Sequence, residues 1–510
     1  MAAAKAKKRV SGSKRKAAKK TKQRVPKAAK AKKAARTKKS AKTPPRQPAP
    51  GASVPAPAGS GGDPTGLRVR MYRVGFGDFF LLSVPSAKGA KHILIDCGVH
   101  AVDLGSIGDA VAQMAEDCGK HLSLVIMTHR HADHISGFAK CADVFSQITV
   151  DRVWMPWFED LNDGAAKKIQ ANLTALAGQV SLRLAASGQS KTPFASMVEN
   201  ITGGAAATGV SSNQKALDVL HGGFANKVTP DYYRAGDTAI LPQDLVDAGL
   251  SAKILGPPGD TRLIQQMTNT SDQYLANAMQ DDGEIAKTFP AAFQQKTYPD
   301  HAFKLFGASQ VEASIKAVQP NVLAARAQAA DKTLNNQSLV VLFSFAGKNL
   351  LFVGDAQWGN WENFLYGGAF GTPGHTKMTD DATEILENID FYKVGHHGSR
   401  NATPKDAVAA MMRLGCACMC STQIKAYNEV PRAPLMEALS TQMKGKLARS
   451  DQVAVKSQGP NAAAGPLPQA FKTPTEELFI DYYFEALPGE PITRSRGGLS
   501  GEPTTGPRTV

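Results

Sequence analysis

Three histidines and one aspartate fall within six positions of this chain, in Thr128-His129-Arg130-His131-Ala132-Asp133-His134-Ile135-Ser136-Gly137. Imidazole nitrogen and carboxylate oxygen are the donors that zinc and manganese-like ions take. The order is H-x-H-x-D-H. His129 and His131, two apart, share one face of an extended segment and can pinch one ion. Asp133 and His134 follow as the chain turns and can address a second ion. Five of the eleven histidines lie either here or in His396-His397. That concentration argues against a polar loop that happens to be His-rich.

Such donors need rigid elements behind them. Leu122-Ser123-Leu124-Val125-Ile126-Met127 is an apolar run that reads as a buried strand, and the cluster follows it directly. A strand that ends in imidazoles and a carboxylate delivers them from the sheet edge into one small volume. Three more apolar runs end in chemistry-bearing groups. Lys91–Gly98 ends in Asp96-Cys97-Gly98, Leu350–Ala356 ends at Asp355, and Phe391–Ser399 ends in His396-His397-Gly398-Ser399. Tyr72–Leu82 carries Gly75 and Gly77 inside a strand pattern, which marks a bulge or a close backbone approach. Asp-x-Gly alone is a common turn. Four strand ends in order around H-x-H-x-D-H form a joint signal. No Gly-x-Ser-x-Gly elbow or Cys–His pairing competes with it.

This ordered series resembles the metallo-β-lactamase superfamily. The wording narrows the likeness: Val-Gly-Phe-Gly-Asp (74–78), Ile-Asp-Cys-Gly (95–98), Asn336-Gln337-Ser338-Leu339-Val340-Val341, Val-Gly-Asp-Ala (353–356), Val-Gly-His-His-Gly-Ser (394–399), Tyr427-Asn428-Glu429-Val430-Pro431 and Arg449-Ser450-Asp451-Gln452 resemble the soluble hydrolase domain of ComEC-type competence proteins. The likeness runs from about Leu67 to about Glu485.

The resemblance implies an α/β fold of the α+β sandwich type: a four-layer αββα metallo-β-lactamase fold, with two sheets carrying helices on their outer faces. It implies two divalent ions, zinc first and manganese second, held by His129, His131, Asp133, His134 and Asp355, with either His396 or His397 closing the second site. Asp355 would bridge the ions, and Asp133 and His134 would carry the catalysis. Asp78 and Asp96 would brace the ligands, as outer hydrogen-bonding partners do. The spare histidine, Ser399 and Asn336 would face the substrate. Such a site makes hydroxide from water near neutral pH, with ions roughly 3.5–4 Å apart. The group acts on phosphodiester bonds, so a phosphodiester substrate is expected.

The chain departs from the pattern in two places. Phe76 stands where the family has Gln. The wider superfamily places one more His between the first cluster and the bridging Asp. Here that interval holds only His221, before Gly222-Gly223, and His301, in a polar segment. Neither ends a strand, so water or an amide such as Asn336 can take that position.

Composition adds a second theme. Residues 1–50 hold 20 Lys or Arg and no acidic residue, and the rest of the chain holds 40 basic against 44 acidic residues. The basic character therefore belongs to the tail. Its clusters include Lys7-Lys8-Arg9, Lys14-Arg15-Lys16, Lys19-Lys20 and Lys32-Lys33. It has no aromatic residue and almost no large aliphatic one, so disorder is expected. Lys and Arg release counterions from phosphates, giving sequence-independent, salt-sensitive affinity for nucleic acid. A solubilising or targeting role is the alternative. The tail has no apolar h-region of a secretory signal.

No run approaches the roughly 20 apolar residues that span a bilayer, so no membrane insertion is expected. Cys416, Cys418 and Cys420 alternate along an apolar strand, which favours small buried residues over a metal cluster. The six Cys suggest no disulfide framework. A cytoplasmic setting is expected: the nucleoid in a bacterium, the nucleus in a eukaryote. The oligomeric state stays open.

The expected layout is a basic tail and linker over 1–66, a hydrolase domain over 67–486 with insertions at about 160–330, and a disordered C-terminal tail over 487–510. The insertion holds a helical stretch near Asp163–Leu184. Trp154, Trp157 and Phe158, just after the cluster, read as core or wall residues, with base stacking as the alternative. Two other functions stay open: hydrolysis of thioesters, lactones or β-lactams on the same fold, and a non-catalytic nucleic-acid-associated module.

Overall fold

Val-, Ile-, Leu- and Phe-rich runs of period two form the framework of the chain. The computed structural model describes residues 66–103, 106–186, 212–269, 330–411, 416–424, 426–427, 430–452, 466–473 and 478–484. The basic tail with its Lys and Arg clusters, residues 187–211 and 270–329 of the insertion with His301 among them, and the C-terminal tail lie outside the described residues.

The first half contributes β1 (Arg68–Tyr72), β2 (Gly75–Phe76), β3 (Phe79–Val84), β4 (Lys91–Cys97), β5 (His100–Asp103), β6 (His121–Ile126), β7 (Thr149–Pro156) and β8 (Asp231–Tyr233). The second contributes β9 (Ser251–Gly256), β10 (Val340–Phe345), β11 (Lys348–Phe352), β12 (Phe391–Lys393), β13 (Ala417–Cys420), β14 (Leu447–Arg449), β15 (Phe471–Lys472) and β16 (Phe479–Tyr483). An eight-stranded sheet runs β15-β16-β1-β3-β4-β6-β7-β8, and a six-stranded sheet runs β14-β13-β12-β11-β10-β9. Both are mixed. β4, β6, β7 and β8 pair in parallel, as do β11, β12, β13 and β14, while the other neighbours pair antiparallel.

Parallel neighbours need crossovers, and helices supply them. α1 (Ile107–Asp117) leads into β6, and α2 (Ala132–Lys140) and α3 (Ala142–Phe145) connect β6 to β7. Helices over Trp358–Tyr366 and Asp380–Glu387 connect β11 to β12, Lys405–Ala410 connects β12 to β13, and Ala433–Gln442 connects β13 to β14.

Strand alternation divides the apolar residues among three clusters. Phe79, Leu81 and Leu94 pack with Val111, Met114 and Phe138 of the first helices. Phe80, Leu82, Ile93 and Ile95 pack instead with Phe343, Leu350, Phe352 and Phe391 of the other sheet. Leu351 points away from that seam and joins Trp361, Leu386 and Leu439. Trp154 is sealed in the seam beside Tyr233 and Phe343, with ring centroids 5.2 and 6.5 Å away. Each buried ring or branched aliphatic side chain contributes about 1.5–3 kcal/mol.

Cys416, Cys418 and Cys420 lie in the third cluster and Ala417 and Met419 in the second, as period two demands. All six cysteines are buried, and none is in a disulfide. The expected helical stretch is the helix Gly164–Ala186, started by Asp163 Oδ1, which accepts from the Ala165 and Ala166 amides at 2.8 and 2.9 Å. Among the described residues, no helix is long and apolar enough to cross a membrane.

Candidate metal centre

The parallel pairs β4/β6 and β11/β12 end in the segments that carry the donors, and ligands gather beyond the carboxyl ends of such strands. Asp96 is the penultimate residue of β4. Thr128 and His129 follow β6, Asp355 follows β11, and His396 and His397 follow β12.

His131 immediately precedes α2, and Asp133 and His134 occupy its first turn. The segment stays close to the β2–β3 turn because Gly77, at φ +154°, leaves no room for a side chain. A Cβ there would lie 2.3 Å from the Gly98 carbonyl oxygen and 2.7 Å from that of Asp133.

Asp133, His134, Asp355 and His397 present donor atoms within 4.8 Å of one another, and all but Asp133 are fully buried. His134 Nε2 is 3.2 Å from Asp355 Oδ1. His397 Nε2 is 3.1 Å from Asp133 Oδ2 and 3.4 Å from Asp355 Oδ2. His129 lies beside them, its ring 4.1 Å from that of His134 and 4.7 Å from that of His131.

Each inner histidine is anchored through Nδ1. Asp96 Oδ2 accepts from His134 Nδ1 at 2.7 Å while the same carboxylate accepts from the Thr128 amide at 2.8 Å and hydroxyl at 2.6 Å. The Ser421 carbonyl lies 2.9 Å from His397 Nδ1. Thr128 and Ser338 hydroxyls lie 3.2 and 3.3 Å from His129 Nδ1, and Ser338 also accepts from the Asp355 amide at 2.9 Å. Among the described residues, the Nε2 atoms of His129, His134 and His397 are buried without a hydrogen-bond partner, as is Asp355 Oδ1. A buried polar atom without a partner is costly. Three such imidazole nitrogens converging with carboxylates match the donor set of a divalent transition ion, with outer partners fixing each ring.

The electrostatics agree. Burial would raise the Asp133 and Asp355 carboxyls, yet His397 and His134 hold both below the usual carboxylate range. Burial opposes protonation of His134 and His397, but Asp355 overcomes it, with Asp96 helping at His134 and Asp78 at both. His134 is raised well above its ordinary value and His397 is pushed up to about 10. His129 is driven down by burial and by the neighbouring His134 and His131. A divalent ion competes with these protons for the same carboxylate field, so binding releases protons.

His396 and His397 part company. Consecutive left-handed residues, at φ 46° and 52°, turn His397 inward, and His396 faces the rim with 22% of its side chain exposed. Its Nε2 is 3.9 Å from Asp355 Oδ2 and 3.3 Å from Asn335 Nδ2. Ser399 Oγ and Asn401 Oδ1 hold its Nδ1 at 2.8 and 3.2 Å. Ser399 therefore fixes His396.

Asn336 requires a correction. Its amide donates to the Ile264 and Gln266 carbonyls and accepts from the Gln357 and Asn360 amides, so it fastens the start of the helix Trp358–Tyr366. The neighbouring Asn335 is the amide that meets the cluster. His221 Nδ1 lies 2.8 Å from the Leu217 carbonyl, and that bond explains its position. Trp157 donates to the Pro258 carbonyl, and Phe158 is buried under the Arg130 guanidinium, so both are wall residues.

Two participants escaped the sequence reading. Lys393 is buried with Nζ against Asp78, 3.7 Å from Asp355 Oδ1 and donating to the Gly354 carbonyl at 2.9 Å. Asp78 sits 3.7 Å from His134 Nδ1 and 3.5 Å from His397 Nδ1. Burial raises its carboxyl against the pull of Lys393. A lysine closing a buried strand was the available signal. Asp331 meets His131 Nε2 through its carbonyl at 3.1 Å and through Oδ1 at 3.3 Å. It lies in a polar stretch and gave no signal.

No protein-family model matches the chain, and no curated protein matches it. The chain has a mixed α/β fold with a buried His/Asp cluster that could hold metal, compatible with a metallo-β-lactamase fold.

Proposed function

We propose that this protein is a metal-dependent phosphodiesterase of the metallo-β-lactamase type, acting on nucleic acid or a related diester. The three apolar clusters are then the seams of a four-layer αββα arrangement. The observation that carries the reading is the convergence of Asp133, His134, Asp355 and His397 with unpartnered imidazole nitrogens.

Asp133, His134, Asp355 and His397 would hold divalent ions, which would supply hydroxide near neutral pH and neutralise phosphoryl charge. The chain's own residues do the rest. Asp96 and Thr128 lock the rings, and Lys393 keeps Asp78 and Asp355 in place against mutual repulsion. Asp133 orients the nucleophile, and His396, held by Ser399, touches the substrate phosphate from the rim. Tyr427, with 46% exposure, packs on Phe76, which packs on His397 at 4.3 Å between centroids, so an open ring stands near the cluster for a base to stack on. The 20 Lys and Arg of residues 1–50 hold the enzyme on the polyanion.

The test measures metal per chain, then cleavage of DNA, RNA and bis-p-nitrophenyl phosphate with zinc and with manganese. Activity is expected to vanish in Asp133→Ala and His134→Ala. Turnover no higher than these variants with either metal refutes the proposal. Rapid nitrocefin turnover without diester cleavage moves the chemistry to lactams.

A further inference from the structure

We propose that Tyr427 binds the substrate phosphate, its hydroxyl donating a hydrogen bond to a phosphoryl oxygen of the diester. The proposal rests on the phosphodiesterase reading above and names the donor that meets the phosphate from the side of His397.

The arrangement depends on Phe76, the residue that stands where the family has Gln. Phe76 is buried, and its ring packs on that of His397 with centroids 4.3 Å apart. The Tyr427 ring meets Phe76 edge-on, at 4.9 Å and 66°. Three rings thus form a ladder from a cluster imidazole to a side chain that is 46% exposed. A tyrosine held by its apolar body presents its polar tip to water or to a ligand. Among the described residues, the Tyr427 hydroxyl has no hydrogen-bond partner.

Two carboxylates mark where the tip stands. Asp133 Oδ2 is 3.1 Å from His397 Nε2, and Asp331 Oδ1 is 3.3 Å from His131 Nε2. Asp133 is the one donor of the cluster that is not fully buried, and Asp331 is partly exposed as well, so both border its open side. Burial, then Asp133 and Asp331, raise the Tyr427 phenol above its ordinary value. The hydroxyl therefore keeps its proton near neutral pH. It offers a donor to the phosphate without adding charge, and its own O–H bond is neither broken nor formed. A preorganised donor aimed at developing charge accelerates the reaction more than it tightens binding.

The bland role for Tyr427 is a cover over Phe76, which needs the ring and leaves the hydroxyl idle. The experiment compares the metal-loaded full chain with Tyr427→Phe, which keeps the ring and removes only the hydroxyl. Elemental analysis gives ions per chain, thermal melting checks the fold, bis-p-nitrophenyl phosphate gives kcat and KM, and calorimetry gives the affinity for inorganic phosphate. Tyr427→Phe is expected to keep its ions and its Tm and to lose roughly 100-fold in kcat, with a smaller change in KM. Its phosphate affinity is expected to fall about 10-fold, as for one lost bond to a charged group. Phe76→Gln is expected to reproduce most of these losses, and the double change to add little, because the Phe76 ring carries the phenol. Unchanged kcat and phosphate affinity in Tyr427→Phe overturn the inference and leave the proposed function standing. Loss of ions in Tyr427→Phe also overturns it, by making the side chain a support of the metal centre. A native chain without diester turnover refutes the proposed function. Phosphate affinity then decides the role of Tyr427 alone, and equal values in native and Tyr427→Phe, or no phosphate binding by the native chain, overturn it.

Discussion

Asp96→Asn tests whether the buried carboxylate chooses which nitrogen of His134 is free. Asp96 sits at φ 54°, a conformation that Asn adopts as readily as Asp, so the backbone should hold. Its Oδ1 accepts from the Thr128 amide and its Oδ2 from both the Thr128 hydroxyl and His134 Nδ1. The amide that replaces Oδ2 can only donate. Thr128 can reverse its hydroxyl, but His134 must move its proton to Nε2, the atom 3.2 Å from Asp355. That proton blocks ligation. The lost charge-assisted bond is worth about 1.5–3 kcal/mol. At 1.4 kcal/mol per decade, that is roughly 10–100-fold in metal affinity. Chelator competition measures the affinity, and long-range nitrogen–proton correlation reads the His134 tautomer. Affinity within about threefold of native, or His134 still protonated at Nδ1, refutes the reasoning. Asp96→Ala should act differently. It leaves the Thr128 amide and His134 Nδ1–H without acceptors and destabilises the metal-free chain by about 2–6 kcal/mol, at 1–3 per group.

Further outcomes follow from the same geometry. Lys393→Met leaves Asp78 and Asp355 facing each other without their ammonium and should cost about 3–5 kcal/mol in urea unfolding. The double change Lys393→Met, Asp78→Asn should recover most of that, and a double variant no more stable than the single one counts against the pairing. His92, whose Nδ1 is 3.1 Å from Ser83 Oγ, is lowered to about 4 by burial and by Arg68. Its folded value lies below its unfolded one. The stability it contributes is therefore present above pH 6.5 and lost as pH falls from 6.5 toward 4. His92→Gln should flatten that slope, and an unchanged slope rejects the assignment. His397→Ala should lower the number of bound ions, whereas His396→Ala should keep it and lose diester turnover, so identical ion contents would contradict their division of roles. Deleting residues 1–50 should weaken nucleic-acid binding and flatten its salt dependence while small-diester turnover persists. Unchanged affinity ends the tethering idea.

The strands were legible because burial on two faces leaves a mark on residue type. Phe79–Val84 is buried throughout, and so is Ala417–Cys420, where Cys and Ala or Met alternate between two different cores. Their partnering was not legible. β1 pairs with β16, Arg68 opposite Tyr483, and nothing local in either segment names the other. The same holds for Phe343, whose neighbours Trp154 and Phe352 come from different sheets. Asn336 misled for a related reason. A polar residue before a strand looks available to a substrate, but only the folded chain reveals that four backbone groups already occupy its amide.

The donors themselves were visible because His and Asp seldom end apolar strands without cause. Their division of labour depends on backbone conformation, which residue type does not encode. Of the seven described non-glycine residues with positive φ, Asp96, His396 and His397 belong to this one site. Each such conformation costs about 1–3 kcal/mol and persists only where its surroundings over-determine it. At Asp96 the surroundings are Thr128 and His134, and at His397 they are Ser421, Asp133 and Asp355. At His396 they are Ser399, Asn401 and Asn335. The two adjacent histidines are chemically identical. With successive φ values of 46°, 52° and 77° at His396, His397 and Gly398, the turn sets their ring centroids 6.4 Å apart. Neither the inner nor the outer role can pass to the other ring without remaking that turn. Strain held at the donors, rather than their spacing in the chain, is what fixes which imidazole faces the carboxylates and which faces the rim.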